Sequence, residues 1–252
     1  MTKNLLIQVK YEMNMFFREP MYVFFSLLLP AASFAMFAAM YGNQTYGGLD
    51  YFSAYIPGFV VIIMFTSCIF SVGFQNVMNR ELGVYKRLMA TPINLRMVLF
   101  ASLIRGFIVA VFGLIEILVI SRLGFGKNLT NYWGQFLLCY LVITLVSLMI
   151  GFSVGIFFKK TKTALMALMA AMYPVMFLSD ATIPLSVMPQ IVQKAAPIVN
   201  PLYHMNIILR LAWTGKIFKI NNEMFIAVVY LIVVSIVLMF ASLKVYRREE
   251  KL

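Results

Sequence analysis

Six apolar runs, each close to the length of a membrane-spanning helix, account for most of this 252-residue chain. An α-helix needs about 20 residues to cross about 30 Å of hydrocarbon. The runs are residues 21–41, 52–78, 95–121, 132–158, 163–179 and 222–243. The mean hydropathy of +0.89 is too high for a soluble core of this size to hide the apolar surface. The sequence therefore predicts an all-α membrane protein with six transmembrane helices in one transmembrane domain, residues 1–252.

The first 18 residues form an amphipathic segment before the first run. Apolar side chains recur there at three- and four-residue steps, at Leu5, Val9, Met13, Phe16 and Phe17. Gln8, Lys10 and Glu12 fall on other positions of the same helical pattern. The segment is therefore predicted to be an interfacial helix, residues 1–18, that lies flat at the membrane surface with its polar side chains away from the apolar face.

The segment between the fifth and sixth runs, residues 180–221, is apolar but does not predict a clean crossing. It contains Pro184, Pro189, Pro197 and Pro201, which interrupt helical hydrogen bonding. Broken backbone at membrane depth is tolerated where protein or a wet cavity surrounds it. We therefore expect two short re-entrant helices that enter the membrane from the outer side.

Basic residues are distributed unevenly between the two sides of such a topology. With six crossings and both termini on one side, that side holds fourteen Lys and Arg residues and the opposite side holds six. The positive-inside rule then places both termini in the cytoplasm. The formal charge of +12 comes from short clusters between apolar runs, so it does not indicate a partner that is a nucleic acid.

A charged stretch, residues 80–92, separates the second and third runs on the cytoplasmic side. Apolar residues recur in it at helical spacing, and the segment ends at Thr91-Pro92. The pattern predicts a short amphipathic helix. A solvated loop that satisfies the positive-inside rule and a docking element for another protein both fit this pattern.

Two charged residues, Arg105 and Glu116, lie inside the third run. Eleven residues of helix place them on one face about 16 Å apart, too far for a direct pair. Because a charge in the membrane is costly, each is expected to face a cavity or a partner. One interpretation is a contact with cargo or a gate. In the other, Arg105 pairs with a neighbouring helix and Glu116 reaches the outer interface.

Small residues recur at four-residue steps on the fourth run, at Ser147, Gly151 and Gly155. Such a stripe allows another helix to approach closely, and packing within one subunit is favoured over dimerisation. Cys68 and Cys139 lie inside apolar runs and are expected to be free thiols. His204 is the single histidine, so an intramembrane enzyme would lack a catalytic or metal-binding cluster.

Two stretches resemble the permease subunits of the type-2 family of ABC exporters, most closely its drug-type branch. "RELGVYKRLMATP", residues 80–92, is similar to the first cytoplasmic loop of those subunits. "FLSDATIPLSVMPQIVQKAAPIVNPLYHMNIILR", residues 177–210, is similar to the family's signature before the last crossing. One departure is Ser179-Asp180, where the family commonly has Gly or Ser-Gly.

The resemblance implies a transport subunit and not an enzyme, in a bacterial cytoplasmic membrane. It would pair with a second permease copy or a close homologue, with membrane lipid around both. A separate ATP-binding cassette subunit would bind ATP and Mg²⁺, so no cofactor is expected in this chain. Residues 80–92 would form the coupling helix that docks on this ATPase. The docking residues would be Glu81, Leu82, Tyr85, Lys86, Arg87, Leu88 and Met89.

In the family, the first and fifth crossings line the conduit. The residues that would form the conduit or its gate are Phe34, Phe37, Arg105, Glu116, Met172, Met176, Asp180 and His204. Soft Met and Phe side chains suit a hydrophobic or amphiphilic cargo, such as a drug, a lipid or an antimicrobial peptide. The alternatives are a permease of the polysaccharide or teichoic-acid type, and an ATP-independent channel or ion-coupled carrier.

Overall fold

The computed structural model describes residues 2–46, 48–90, 94–127, 129–217 and 222–249. Over these ranges the chain is almost entirely helical. A short antiparallel hairpin, β1 (Thr45–Tyr46) and β2 (Leu49–Asp50), joins the first two membrane helices. The prediction of an all-α membrane protein is confirmed.

The helices follow one another with short connections. In chain order they are α1 (Thr2–Arg18), α2 (Pro20–Val23), α3 (Leu29–Tyr41), α4 (Tyr51–Met64), α5 (Val72–Glu81), α6 (Val84–Met89), α7 (Leu95–Val119), α8 (Trp133–Phe157), α9 (Thr161–Phe177), α10 (Gln190–Val199), α11 (Pro201–Trp213) and α12 (Asn222–Glu249). The π-helical stretches are Phe24–Leu28, Phe65–Ser71 and Ile120–Gly124, and a 3₁₀ turn lies at Leu185–Val187. The first two π-helical stretches join α2 to α3 and α4 to α5 into continuous rods, and the third extends α7.

Five helical rods in the described part of the chain are long and apolar enough to cross a membrane. They are Pro20–Tyr41, Tyr51–Glu81, Leu95–Gly124, Trp133–Phe157 and Asn222–Ser242. Helix α9 is also apolar but has 17 residues, so it falls short of the same length. The five rods and α9 coincide with the six predicted runs to within a few residues, and a count of six crossings stays a prediction.

The second rod, Tyr51–Glu81, lies at the centre of the bundle. Its most apolar stretch is completely buried within the protein, whereas only 11% of the corresponding stretch of α12 is buried. Helices α7, α8 and α11 pack around this rod. A rod that is apolar on all sides has no polar face to turn toward water, so it is buried by its neighbours while α12 faces lipid.

Glycines allow α8 to pack closely against this central rod. A side chain at Gly151 would overlap the backbone carbonyl of Cys68 and lie 2.7 Å from the Cα atom of Ile69. A Cβ atom at Gly155 would lie 2.7 Å from the carbonyl oxygen of Gly73. The small-residue stripe therefore serves packing within one subunit, as predicted.

Helix α1 packs along α7, and one prediction about its orientation is wrong. Glu12 was expected on the polar side, but its side chain is buried together with Phe16. Phe17, assigned to the apolar face, is 54% exposed. The packed face of α1 is rotated toward Glu12 because a basic side chain of α7 faces it, as described below.

The segment between α9 and α12, called the outer segment after its predicted side, contains the two predicted short helices, α10 and α11, and their entry into the membrane stays a prediction. The Asn-Pro-Leu motif starts the second of them. The side chain of Asn200 accepts a hydrogen bond from the backbone N–H of Leu202 at 3.0 Å, and Pro201 occupies the first helical position. Residues 218–221 of the predicted segment lie outside the described ranges.

Residues 80–92 do not form one helix. Helix α5 continues to Glu81, and Gly83 then turns the chain with φ of 66° before α6 begins at Val84. Glycine adopts this left-handed conformation without steric strain, and the conformation interrupts the hydrogen bonding of the helix. Thr91-Pro92, the predicted end of the segment, falls outside the described residues.

Candidate functional site

Helix α6 is held against the central rod by Tyr85. The Tyr85 hydroxyl donates a hydrogen bond to Oδ1 of Asn76, one turn before the end of α5, at 2.8 Å. Burial raises the pKa of Tyr85 to about 12, so the hydroxyl keeps its proton at neutral pH. Of the predicted docking residues, Tyr85 therefore faces inward and positions α6.

Arg80 connects the same end of the central rod to α8. Its guanidinium donates to the backbone carbonyls of Gly155, Ile156 and Phe158, which are the free acceptors at the end of α8. A cation at a helix C-terminus is also favoured by the helix dipole. Sequence reasoning placed Arg80 among the charges of the loop but missed this role, because its partners are 75 to 78 positions away.

Glu81 connects the rod to α9. Its carboxylate accepts a hydrogen bond from the backbone N–H of Thr161, the first residue of that helix. An acidic group at a helix N-terminus satisfies a free donor and interacts favourably with the dipole. Glu81, predicted as a docking residue, is thus bonded within its own chain.

The outward surface of α6 and its preceding turn is formed by three of the predicted docking residues. Leu82 is 61% exposed, and Lys86 and Arg87 are exposed as well. Arg87 also donates to the carbonyl of Leu82 at 3.1 Å, which orders the turn. Leu88 is half-buried, and the side chain of Met89 lies outside the described part of the structure. The result is a small basic surface with one apolar side chain at its edge.

A buried ion pair joins α1 to the third rod. Arg105, 1% exposed, has its Nε atom 3.3 Å from Oε2 of Glu12, and its Nη1 donates to Ser71 at 3.0 Å. The ring of Phe16 covers the guanidinium, with its centroid 5.8 Å from Cζ. This placement corresponds to the structural interpretation, in which Arg105 pairs with a neighbouring helix.

Glu116, the second charge predicted within the third run, lies apart from this pair. It is half-buried near the C-terminal end of α7, whereas Arg105 lies near the middle of that helix. Glu12, and not Glu116, is therefore the carboxylate that meets Arg105. The sequence pattern offered no signal for this pairing, since Glu12 and Arg105 are 93 residues apart in the sequence.

Three predicted conduit residues lie together around a cavity of about 210 Å³. Phe37 from α3 and Met172 and Met176 from α9 contribute to its walls, and Phe59 of the central rod closes it. Phe34 lies behind this surface, fully buried in an aromatic cluster. The first rod, the central rod and α9 thus form an apolar recess, and its role as the surface of a conduit stays a prediction.

Asp180 lies where α9 ends and the outer segment begins. Its φ angle is 56°, a left-handed conformation that Asp tolerates better than most residues and that glycine adopts freely. The Asp180 carboxylate is 2.7 Å from Nη1 of Arg210, and the Asn206 amide donates to the Asp180 carbonyl at 2.8 Å. Helix α11 is thereby fixed to the end of α9.

His204 is buried away from the recess. Its Nε2 atom is 2.7 Å from the carbonyl oxygen of Pro197, and its ring stacks on Tyr230 of α12 with centroids 4.1 Å apart. These contacts join α10, α11 and α12. Among the described residues, no three His, Cys, Asp or Glu side chains are grouped so as to hold a metal ion.

Most of the chain matches the model of a known protein family. A family model described as ABC-2 type transporter matches residues 3–214, which include α1, α6 and the outer segment up to the end of α11. No curated protein matches the sequence. The match covers most of the chain and both of the stretches on which the resemblance rests. The chain belongs to the ABC-2 type transporter family, and it is a multi-pass membrane permease of an ABC transporter.

Proposed function

We propose that this chain is the membrane subunit of an ATP-driven exporter and that two such subunits form the translocation path. A separate ATP-binding subunit, carrying ATP and Mg²⁺, docks on α6 and supplies the energy. The subunit belongs to the drug-type branch and resides in a bacterial cytoplasmic membrane with both termini in the cytoplasm. Hydrolysis takes place on the partner, and the permease itself makes no covalent change in its cargo.

The observation that carries this proposal is the way in which α6 is fastened to the membrane helices. Tyr85 bonds α6 to the central rod, while Arg80 and Glu81 bond the end of that rod to α8 and α9. A force applied to α6 therefore reaches three membrane helices through hydrogen bonds and a short turn. The exposed Leu82, Lys86 and Arg87 provide the surface on which a partner would apply it.

The mechanism is a shift between two conformations of the permease pair. ATP binding draws the two ATPase subunits together, and each carries the α6 that is docked on it. Helix α9, bonded to Glu81, moves with the end of the central rod and changes the access to the apolar recess between them. No energy source is needed within the permease.

The recess supports a hydrophobic or amphiphilic cargo. Most of its walls are Phe, Met, Leu, Ile and Pro side chains, and the residues among them that carry a hydroxyl group are Ser33, Thr66, Tyr173 and Thr182. Unbranched Met side chains adapt to cargo molecules of different shapes. A volume of about 210 Å³ in one subunit is below the usual range for a drug-sized site, and apposition of two recesses in a dimer would bring the combined volume into that range.

The proposal predicts that the permease purifies with an ATP-binding subunit. The full chain, extracted from its own membranes in a mild detergent, is expected to bring down a protein with a phosphate-binding loop, and the recovered complex should hydrolyse ATP. Mass spectrometry identifies the partner and native mass spectrometry gives the stoichiometry, expected to be two of each subunit. Transport by liposomes that contain only the permease would contradict the proposal.

Charge reversal on the exposed surface of α6 is expected to weaken docking of the ATPase while the folding of the permease stays unchanged. Lys86→Glu removes an exposed cation without a described contact to α5, so the permease should insert and retain its Tm. Affinity for the ATPase is expected to fall about ten-fold, with a parallel loss of cargo-stimulated hydrolysis. Titration of purified ATPase against the permease in nanodiscs measures the affinity.

Lys162→Glu is the matched control for this variant. Lys162 is exposed on the first turn of α9, at the same end of the bundle as α6. Its replacement by Glu changes the net charge by the same amount as Lys86→Glu. The control should bind the ATPase with nearly unchanged affinity. Equal losses for both variants would mean that only the overall charge of this side matters, and unchanged binding by Lys86→Glu would argue against docking on α6.

A further inference from the structure

Helix α10 is held to the rest of the protein by few contacts. Ala196 is its one buried residue, whereas Ile191, Ile198 and Val199 are 82%, 73% and 67% exposed. An element that buries little apolar surface opens more readily than the rest of a fold. The hydrogen bonds that α10 makes with its neighbours therefore decide whether it stays in place.

Two side chains fasten the C-terminal end of α10. Nε2 of His204 on α11 is 2.7 Å from the carbonyl oxygen of Pro197, and the Tyr230 hydroxyl on α12 donates to the carbonyl oxygen of Ile198 at 2.9 Å. The last carbonyls of a helix have no partner within it, so these two bonds satisfy acceptors that would otherwise be free. The four residues Pro197, Ile198, His204 and Tyr230 form what we call the His204 junction.

The geometry of this junction suits an uncharged His204. A carbonyl oxygen only accepts hydrogen bonds, so Nε2 carries the proton of the neutral ring and Nδ1 carries none. Nδ1 has less than 1 Å² of accessible surface and no hydrogen-bond partner within the described residues. Protonation of the ring would therefore place a second N–H group where it meets neither water nor an acceptor, which is unfavourable.

Burial is the main influence on the charge of this ring. It leaves His204 2% exposed and lowers the pKa of the imidazole below its ordinary value. The hydrogen bond to the Pro197 carbonyl acts in the opposite direction but is weaker. The Tyr230 ring, stacked with its centroid 4.1 Å away, would also attract a cation, which reduces the cost of protonation without giving Nδ1 an acceptor.

The charged groups on the surrounding elements do not act on His204. Those nearest on the three helices of the junction are Lys194 on α10, Arg210 on α11 and Glu223 on α12. Lys194 and Glu223 are exposed, and Arg210 pairs with Asp180. Helices α4 and α8, which pack on α11, carry no charged residue. Burial and the Pro197 bond account for the pKa of His204 without a contribution from these charges.

The other titratable groups that touch the ring are phenols. Tyr203 lies edge-on to it, with centroids 5.3 Å apart, and Tyr230 stacks on it. Phenols ordinarily lose their proton at a pH of about 10, so both stay neutral in the range where histidine titrates. Protonation of His204 is therefore the change of charge within this junction at mildly acidic pH.

We propose that the His204 junction is a pH-sensitive fastening, which releases α10 when His204 is protonated. In the released form the ring meets water and takes up a proton near its ordinary pKa of about 6.5. Because the closed form binds this proton less readily, the fastening is complete well above pH 6.5 and weakens as the pH falls below it. Exposure of the junction to the outer side of the membrane rests on the proposed function, whereas the release itself does not.

Hydrogen–deuterium exchange of the full chain measures the release. The permease in nanodiscs of zwitterionic phosphatidylcholine is compared at about pH 7.5 and about pH 5.5, with the rates corrected for the intrinsic effect of pH on exchange. The amides of residues 190–199 should lose protection several-fold at the lower pH. Uptake of one proton with a free pKa of about 6.5 sets a limit of about ten-fold over this interval. The amides of the central rod should keep their protection.

Two variants separate the titration of His204 from simple loosening of the junction. Tyr230→Phe removes the hydrogen bond to Ile198 but keeps the titrating ring. Its α10 should exchange faster at both pH values, with the ratio between them retained. His204→Phe keeps an aromatic ring beside Tyr230 but has no group to protonate, so the ratio for α10 should fall to about one.

Equal protection of α10 at the two pH values in the unmodified protein would overturn the proposal. So would protection that increases on acidification, or a ratio that persists in His204→Phe, since another group would then be responsible. The comparison of two pH values needs no variant, so it is decisive even if His204→Phe fails to fold. Neither ATPase nor cargo is present, and a negative result leaves the proposed transport function to its own test.

Discussion

Gly151→Ala is expected to destabilise the folded permease by about 3 kcal/mol, equivalent to a fall in Tm of about 6–12 °C. The added methyl group would overlap the carbonyl of Cys68 and approach the Cα atom of Ile69, and both belong to the backbone of the central rod. Backbone atoms cannot rotate away as a flexible side chain can, so α8 has to separate from the rod. Arg80 would then lose its carbonyl partners at the end of α8.

The Tm of this variant can be followed by the fluorescence of Trp133 and Trp213, whose rings pack 5.9 Å apart between α8 and α11. Gly134→Ala is the matched control, since it makes the same change in the same helix where nothing lies within 4 Å of the new Cβ atom. This control should be neutral or slightly stabilising because alanine favours helix. A Tm for Gly151→Ala equal to that of the control would refute the close packing.

Breaking the ion pair between Arg105 and Glu12 is expected to cost about 3–5 kcal/mol for either single variant, Arg105→Met or Glu12→Leu. Each variant leaves the opposite charge buried without its ionic partner, in a site that is at most 4% exposed. The double variant replaces both charges with apolar side chains of similar length. It should be more stable than either single variant, because no buried charge remains.

Thermal melts of the four proteins form a double-mutant cycle that measures this coupling. Glu19→Gln is the control for loss of a carboxylate, since Glu19 is exposed directly after α1, and its Tm should change little. Additive losses in the cycle would mean that the two charges do not interact. Unchanged Tm values for both single variants would show that α1 is not fixed to α7 by this pair.

The limits of the helices follow from local features of the sequence. Each rod needs a long apolar run, and the connections begin at charged residues, glycines or prolines that cannot continue a buried helix. The Asn200-Pro201-Leu202 motif is a further local signal, because an N-cap side chain, a proline at the first turn and a buried leucine act on neighbouring residues. The family itself could be inferred from this motif together with residues 80–92.

The candidate site was only partly predictable. The sequence indicated that residues 80–92 interact with other groups, but it assigned Glu81 and Tyr85 to a partner protein. In the structure Glu81 accepts from Thr161 and Tyr85 donates to Asn76. A charged or aromatic residue in an amphipathic segment has the same local pattern whether its partner lies in the same chain or in another, so spacing alone does not distinguish the two.

The sequence alone therefore determined the membrane class, the extent of the apolar helices, the turn-forming residues and the family, because these depend on the length and order of neighbouring side chains. Tertiary structure decided that Glu12 faces inward to Arg105, that Arg80 and Glu81 fasten the central rod to α8 and α9, and that His204 joins α10 to α11 and α12. These contacts join positions up to 93 residues apart. Helical periodicity specifies which residues share a face, but only the packing of the helices determines what that face meets.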